Sequence, residues 1–192
     1  MKALQLLILS FLAAIILSFS PTSKKYIVID AGHGGKDLGA TRNGIHEKDI
    51  VLNIAKQIKK SVERNDNYEV VLTRDDDSYP SLSERTEKIN KLNPEMVISL
   101  HVNQTPKETE KTGFEIYVQK NEQSKNLAEK LKHKLGECPV KEENLHLLRE
   151  SKVPAILLEL GFMSNTKDRA YMSSEEGQKE IAEKISDFIR GN

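Results

Sequence analysis

Tryptophan is absent from this chain of 192 residues, cysteine occurs once, and basic and acidic side chains balance at 29 each. Each shortage excludes something. A lone cysteine, Cys138, can neither close an intrachain disulfide nor build a thiolate metal cluster. A formal net charge of zero gives no electrostatic case for nucleic acid or for any strongly charged partner, and the charged residues are mixed in sign, as on a solvated surface. With no Trp and 5% aromatic residues, a broad aromatic platform for sugars is disfavoured. There is no internal repeat and no interdomain linker. The length suits one domain large enough to bury a core without staples.

The N-terminus has a composition of its own. Met1-Lys2 precedes an apolar run from Ala3 to Phe19, which ends at Ser20-Pro21-Thr22-Ser23-Lys24-Lys25. A short basic region before a long apolar one reads as an export signal or a membrane anchor. Residues 1–23 are expected to form that element, and residues 24–192 a domain working outside the cytoplasmic membrane, in a periplasm or cell wall. No A-x-A cleavage pattern occurs, Pro21 follows the small pair Ser18 and Ser20, and the apolar run nears the length of a spanning helix. Cleavage and a retained N-terminal anchor therefore both stay open. No lipidation cysteine follows.

Beyond that segment, strand and helix patterns alternate, which marks an α/β domain. Tyr26–Asp30 is a β-branched run that reads as a buried strand. From Glu47 to Val62, Ile50, Ile54, Ile58 and Val62 recur every four residues, and Val51 and Ala55 widen the helical stripe. Tyr68–Thr73 is a second strand, followed by Arg74 and the acidic turn Asp75-Asp76-Asp77. Ser81 or Ser83 caps a helix that reaches about Asn93, where Pro94 stops it, and Glu95–His101 is a central strand. Gly113–Gln119 alternates as a half-buried strand, Asn121–Gly136 is a lysine-rich helix, and Leu145–Leu148 reads as a short strand. Pro154–Leu160 is the last and most apolar strand; Thr166–Ser173 and Glu175–Arg190 are helices. The expected architecture is a single α/β domain, with a mixed sheet of about six strands flanked by helices on both faces.

Chemistry-bearing residues sit at the ends of these strands. Ile29-Asp30-Ala31-Gly32-His33-Gly34-Gly35 closes the first strand in a glycine-rich turn, which lets the backbone bend sharply and leaves the imidazole uncrowded. Ser99-Leu100-His101-Val102-Asn103 ends the central strand in a second imidazole, and Ile156-Leu157-Leu158-Glu159 ends the last strand in a carboxylate. Glu47 opens a helix. Ligands of open α/β sheets gather at the carboxyl ends of strands, so His33, Glu47, His101 and Glu159 are expected to converge. Two neutral imidazoles and a carboxylate form a known catalytic zinc set that leaves a position for water. A second carboxylate is then the natural general base.

These residues resemble the Amidase_3 family of zinc-dependent N-acetylmuramoyl-L-alanine amidases, which are peptidoglycan hydrolases. The matching pieces are Ile29–Gly35, Glu47, Thr73-Arg74 with the acidic turn, Ser99–Asn103 and Pro154–Phe162, in family order and spacing. The resemblance implies one Zn2+ per chain on His33, Glu47 and His101, with Glu159 as the catalytic carboxylate. It also implies hydrolysis of the amide between the lactyl group of N-acetylmuramic acid and the first L-alanine of the stem peptide. Peptidoglycan is then the partner, with room for a protein activator; a monomer is expected. Leu100 and Val102 stand where the family often has Ile and Ala, which should alter packing only. Some relatives carry a long inhibitory helix before the catalytic glutamate; Gln104–Thr112 is too short to hold one, so the site is expected to be open.

The remaining candidates have two-sided readings. Arg149 is a candidate for a stem-peptide carboxylate or for a salt bridge. Asn103 is a candidate for substrate contact, or with Ser99 for orienting His101. Arg74 and Arg85 are expected to brace the acidic turn. His46 adjoins Glu47, but chain neighbours rarely face one ion; His133 reads as solvent-facing, His146 as cleft rim or surface, and Cys138 as inert. Glu47 would suit a first helical turn by charge alone, whereas Glu159, directly after Ala155–Leu158, is costly to bury unless paired or functional. Two alternatives stand beside the amidase: a zinc peptidase cutting within the stem, and a wall-binding module with a spent site.

Overall fold

A computed structural model describes residues 25–63 and 68–192; the expected signal or anchor at residues 1–23 lies outside the described residues. In chain order the strands are β1 (Lys25–Ala31), β2 (Thr41–Arg42), β3 (Ile45–His46), β4 (Tyr68–Leu72), β5 (Met96–Asn103), β6 (Glu115–Val118), β7 (Val140–Glu142) and β8 (Ala155–Phe162). The helices are α1 (Glu47–Val62), α2 (Leu82–Leu92), α3 (Glu122–Leu135), α4 (His146–Glu150), α5 (Thr166–Ser173) and α6 (Glu175–Arg190). Among the described residues, no helix is long and apolar enough to cross a membrane.

Six strands form one mixed sheet in the order β4-β1-β5-β8-β6-β7. Every neighbouring pair is parallel except β6 with β8. Strand alternation divides the sheet's side chains between two layers. On the larger face, Ile27 and Ile29 of β1, Ile98 and Leu100 of β5 and Ile156 and Leu158 of β8 pack on apolar stripes of α1, α3 and α6. On the smaller face, Val28, Val97, Ala155 and Leu157 meet only Ile89 of α2 and Leu147 and Leu148 of α4 among buried helix residues. That thinner cover leaves the carboxyl ends of the central strands open on one side.

Helix limits follow from their caps. Ser81 and Glu84 form a reciprocal capping box at the start of α2, and Asn93 ends it in a left-handed conformation. Asn121, Asn165 and Ser174 accept backbone N–H groups at the starts of α3, α5 and α6. The edge strand β4 is blunted by lysines: Lys88 Nζ donates to the Leu72 carbonyl at 2.8 Å, and Lys59 Nζ to that of Val70.

The structure corrects the expectation of a strand at Leu145–Leu148. Residues His146–Glu150 form α4, in which Leu147 and Leu148 are adjacent helical residues buried on the sheet. A four-residue apolar run does not distinguish strand from helix. The sixth strand is instead β7, whose exposed Lys141 and Glu142 carry no apolar alternation.

Candidate metal centre and catalytic crevice

Register places the site. Asp30 of β1 pairs with Ser99 of β5, His101 of β5 with Glu159 of β8, and Glu159 with Glu115 of β6. By alternation all five share the smaller, thinly covered face. Beyond β1 the chain turns through three consecutive positive φ angles, 58° at His33, 128° at Gly34 and 53° at Gly35. This carries the His33 ring back over the strand ends. Its centroid lies 4.9 Å from that of His101, edge to face. Gly32 makes this approach possible, since a Cβ there would lie 2.4 Å from His101 Cε1.

Glu47 joins the two rings. Its Oε1 lies 3.0 Å from His33 Nε2 and 2.9 Å from His101 Nδ1. The carboxylate is fixed from behind by the N–H groups of Val102, 2.9 Å from Oε1, and Ala40, 2.7 Å from Oε2. His33 Nδ1 meets Asp37 Oδ2 at 2.9 Å, so this ring has a carboxylate at each nitrogen. Burial works against the charged ring, but the bonds and charges of Glu47 and then Asp37 outweigh it and raise the His33 pKa to about 9. Burial opposes ionisation of Glu47 too, yet His101 and His33 bring its pKa down to about 2.

The donor set fits a divalent ion. One ligand atom from each of His33, Glu47 and His101 lies within 4.8 Å of the others. In tetrahedral zinc sites with bonds of about 2.0–2.1 Å, neighbouring ligand atoms stand roughly 3.3 Å apart. The two measured nitrogen–oxygen distances are already close to that edge. Nitrogen and oxygen donors suit zinc, and Asp37 supplies the outer carboxylate that typically orients a ligating imidazole.

Glu159 borders this trio from β8. Its Oε2 is buried with no hydrogen-bond partner among the described residues. Burial, aided by the Glu47 and Glu115 carboxylates and opposed by His101 and His33, pushes its pKa up to about 7. A carboxyl group poised near neutrality beside a trio of metal-ligand type can both take and return a proton.

The turn that carries His33 is held by buried arginines. Asp30, 1% exposed, accepts from Thr73 Oγ1 at 2.7 Å, Ser99 Oγ at 2.6 Å and Arg85 Nη1 at 2.7 Å. Arg85 also donates to the carbonyls of Ala31 and His33, and Arg74 to those of Ala31, Gly32 and Lys48. Sequence reading expected these arginines to brace the acidic turn. Arg74 does reach the Asp76 carbonyl, but both arginines also brace the His33 turn through the carbonyls of Ala31, Gly32 and His33. The acidic turn contributes through Asp77, which accepts from Gly35 N–H and Lys48 Nζ.

The other candidates disperse. Asn103 donates to Glu115 Oε2 at 3.1 Å and accepts the Gln104 N–H. Ser99 serves Asp30 rather than His101. Arg149 is exposed and already engaged, with Glu150 Oε1 at 2.8 Å and Asn144 Oδ1 at 3.2 Å. His46 contacts Thr41 Oγ1 at the start of α1, His133 is exposed, and Cys138 is buried. Asp37 escaped sequence reading; the available signal was an acidic residue four positions after a turn histidine. Gln104–Thr112 lies tied to Ser164 and Asn165 beyond the end of β8, through Thr105 and Thr109.

Comparison with known proteins agrees with this geometry. The profile of Amidase_3, N-acetylmuramoyl-L-alanine amidase, matches residues 27–191. An endolysin of Bacillus phage SPP1 is 34% identical over 172 residues, which is 83% of this chain but 62% of the endolysin. The catalytic domain of CwlV, an N-acetylmuramoyl-L-alanine amidase from Bacillus (Paenibacillus) polymyxa, superposes with a TM-score of 0.82 at 34% identity, covering 87% of this chain and 97% of that domain. The CwlD amidase of Clostridioides difficile, solved in complex with the GerS lipoprotein, superposes with a TM-score of 0.81 at 30% identity, covering 88% and 98%. Sequence and fold thus agree along almost the whole described domain, and the chain belongs to the Amidase_3 family of N-acetylmuramoyl-L-alanine amidases.

Proposed function

We propose that this chain is a zinc-dependent amidase that cuts peptidoglycan at the amide between the lactyl group of N-acetylmuramic acid and the first L-alanine. His33, Glu47 and His101 would hold the ion, and Glu159 would move the proton. The single observation that carries this reading is the convergence of three nitrogen and oxygen donors within 4.8 Å beside Glu159, whose Oε2 is buried with no hydrogen-bond partner among the described residues. A zinc ion in such a set acts as a Lewis acid, polarising a carbonyl and acidifying water.

The chain's own residues do the rest. Glu159 takes a proton from the water that attacks the lactyl carbonyl carbon. It returns that proton to the alanyl nitrogen as the C–N bond breaks, leaving a lactyl carboxylate and a free stem-peptide amine. Glu47, fixed by two backbone N–H groups, and Asp37, paired with His33 Nδ1, keep both rings in one orientation. The crevice stays open because Gln104–Thr112 is short and tied away. The domain would act outside the cytoplasmic membrane, exported or anchored by residues 1–23. A protein activator fits this reading, since the related CwlD was solved with a lipoprotein bound.

The test is digestion of purified peptidoglycan by wild type and Glu159→Ala, with a chelator and with zinc restored. Zinc-dependent release of intact stem peptides, with new lactyl carboxylates on the glycan and none from the variant, is expected. Shortened stems would make the enzyme a peptidase, and equal release with the chelator present would remove the metal from the reaction.

A further inference from the structure

Beside the candidate metal centre lies a cavity of about 330 Å3, which runs from His33 and His101 to Tyr79 and Leu82 on one side and Leu145 and His146 on the other. Two of these side chains are unusually bare. Tyr79 is 48% exposed and Leu82 56%, and they are two of the four large apolar residues exposed among the described residues. Scattered singly, such residues need no explanation, but apolar surface gathered at one cleft marks contact with another molecule.

The backbone that presents them is tied down on both sides. Asp77 accepts the Gly35 N–H at 2.9 Å, and a Cβ on Gly35 would lie 3.1 Å from Cβ of Tyr79, so this segment packs on the His33 turn. Arg85 Nε donates to the Pro80 carbonyl at 3.0 Å, and Ser81 caps α2 one residue before Leu82. An aromatic ring on fixed backbone offers contact area at low entropic cost.

Charge decides which half of the substrate suits this side of the crevice. Asp30 and Asp37 line the cavity, and the only lysine or arginine in its lining among the described residues is Arg85. That guanidinium is committed to Asp30 and to the carbonyls of Ala31 and His33. Lys36 Nζ stands 5.8 Å from the Tyr79 ring centroid, outside the lining. A stem peptide, which carries carboxylates, would bring like charge here and find no free cation in the wall. The muramoyl sugar is neutral, because its lactyl acid is already an amide, and one face of its ring is made of C–H groups that suit the negative face of an aromatic ring. We infer that Tyr79 is a sugar-binding residue, which stacks on the pyranose ring of N-acetylmuramic acid while Leu82 extends the apolar surface. The sugar then lies on the α2 side of the metal centre. The inference rests on the amidase reading above. One exposed tyrosine is far from a broad aromatic platform, and it is enough for one sugar ring.

The test compares two ligands that differ only in the sugar. Calorimetry on the zinc-loaded, full-length Glu159→Ala protein measures affinity for an N-acetylmuramoyl tripeptide and for the lactoyl tripeptide that lacks the pyranose ring. The parent should bind the muramoyl ligand more tightly. Adding Tyr79→Ala should weaken that ligand about tenfold, the size of one stacked ring, and leave the lactoyl ligand within twofold. Tyr79→Phe, which keeps the ring and loses the hydroxyl, should bind both as the parent does. An equal loss on both ligands would put Tyr79 against the lactyl or stem part, and no loss on either would put it outside the contact; each overturns the inference. A Phe variant as weak as the Ala variant overturns it too, because the hydroxyl and not the ring face would then be read. A parent that binds neither ligand also overturns it, and digestion of whole peptidoglycan by the wild type then decides whether the amidase reading falls as well.

Discussion

Gly32→Ala isolates the contact that brings the two imidazoles together. Gly32 is not among the glycines with positive φ, so an alanine can adopt its backbone without strain. What the new methyl cannot do is coexist with the present ring of His101. Its Cβ would stand 2.4, 2.7 and 2.8 Å from Cε1, Nε2 and Nδ1, where ordinary carbon contacts need about 3.5 Å or more. The ring must retreat by roughly 1 Å. Nδ1, now 2.9 Å from Glu47 Oε1, would leave hydrogen-bonding range, and any metal bond through it would exceed the tolerance of about 0.2 Å. Displacing one ligating ring should weaken zinc by about 10–100-fold, or about 1.4–2.7 kcal/mol.

The assay is competition for zinc against a chromophoric chelator, paired with urea unfolding of the metal-free protein. Zinc affinity should fall while the unfolding midpoint hardly moves, because the ring lies at the mouth of the crevice and alanine restricts the unfolded chain slightly more than glycine. Gly39→Ala is the contrasting case. There φ is +66° and the added Cβ would meet Glu47 Oε2 at 2.5 Å, so stability and affinity should fall together. Zinc binding by a folded Gly32→Ala protein within twofold of wild type would refute the reasoning, for it would mean that His101 does not need its present position.

Asp30→Asn leaves the Arg85 guanidinium, 3% exposed, without its counter-charge and should cost about 3–5 kcal/mol in urea unfolding, with a loss under about 1 kcal/mol refuting the role. Burial raises the Asp30 pKa, but the Arg85 charge and the bonds from Ser99, Thr73 and Arg85 prevail and hold it below 3.8; its stabilisation is therefore complete above that value and lost as pH falls through the folded-state pKa, an acid limb that Asp30→Asn should lack. Glu159→Gln should lower turnover by at least about 100-fold yet stabilise the metal-free protein. Burial raises the carboxyl from 4.5 to about 7, so its ionisation opposes folding progressively across that interval, and at pH 8 the variant should gain on the order of 2 kcal/mol. Identical gains at pH 4 and pH 8 would show that the carboxyl is not the cause.

The long helices were legible because their apolar residues repeat at the helical period, and Glu47–Val62 and Glu175–Arg190 match the structure to the residue; the five-residue α4 was too short for that period to show. The four central candidate residues were legible as a group because each follows an apolar strand or opens a strongly periodic helix, and His33, Glu47 and His101 do converge. What escaped was either too short or too distant to carry a local signal. The hairpin of β2 and β3 turns on Asn43 and Gly44, both with positive φ; that dipeptide is a strong turn signal, but its two-residue strands leave no room for alternation. β7 draws its place from pairing with β6, not from its composition. The partners of Arg74 and Arg85 on the His33 turn lie 42 to 54 residues away in the chain, a juxtaposition that only the folded sheet reveals.

That juxtaposition explains how a turn can position the His33 ring as reliably as a strand would. His33 stands at φ 58°, a left-handed conformation that costs a residue with a Cβ roughly 1–2 kcal/mol. Beyond the end of β1 the sheet no longer determines where the backbone goes. The carbonyls of Ala31, Gly32 and His33 are instead taken by two buried guanidiniums, of which Arg85 is tied to Asp30 on the strand itself. Guanidiniums offer several donors in a rigid plane, so each spans carbonyls that one lysine could not reach together. The network converts a flexible glycine turn into a continuation of the sheet. Lysine at either position would keep the charge and lose the fork, so the hold on His33 depends on the planar shape of the arginines and not on their charge alone.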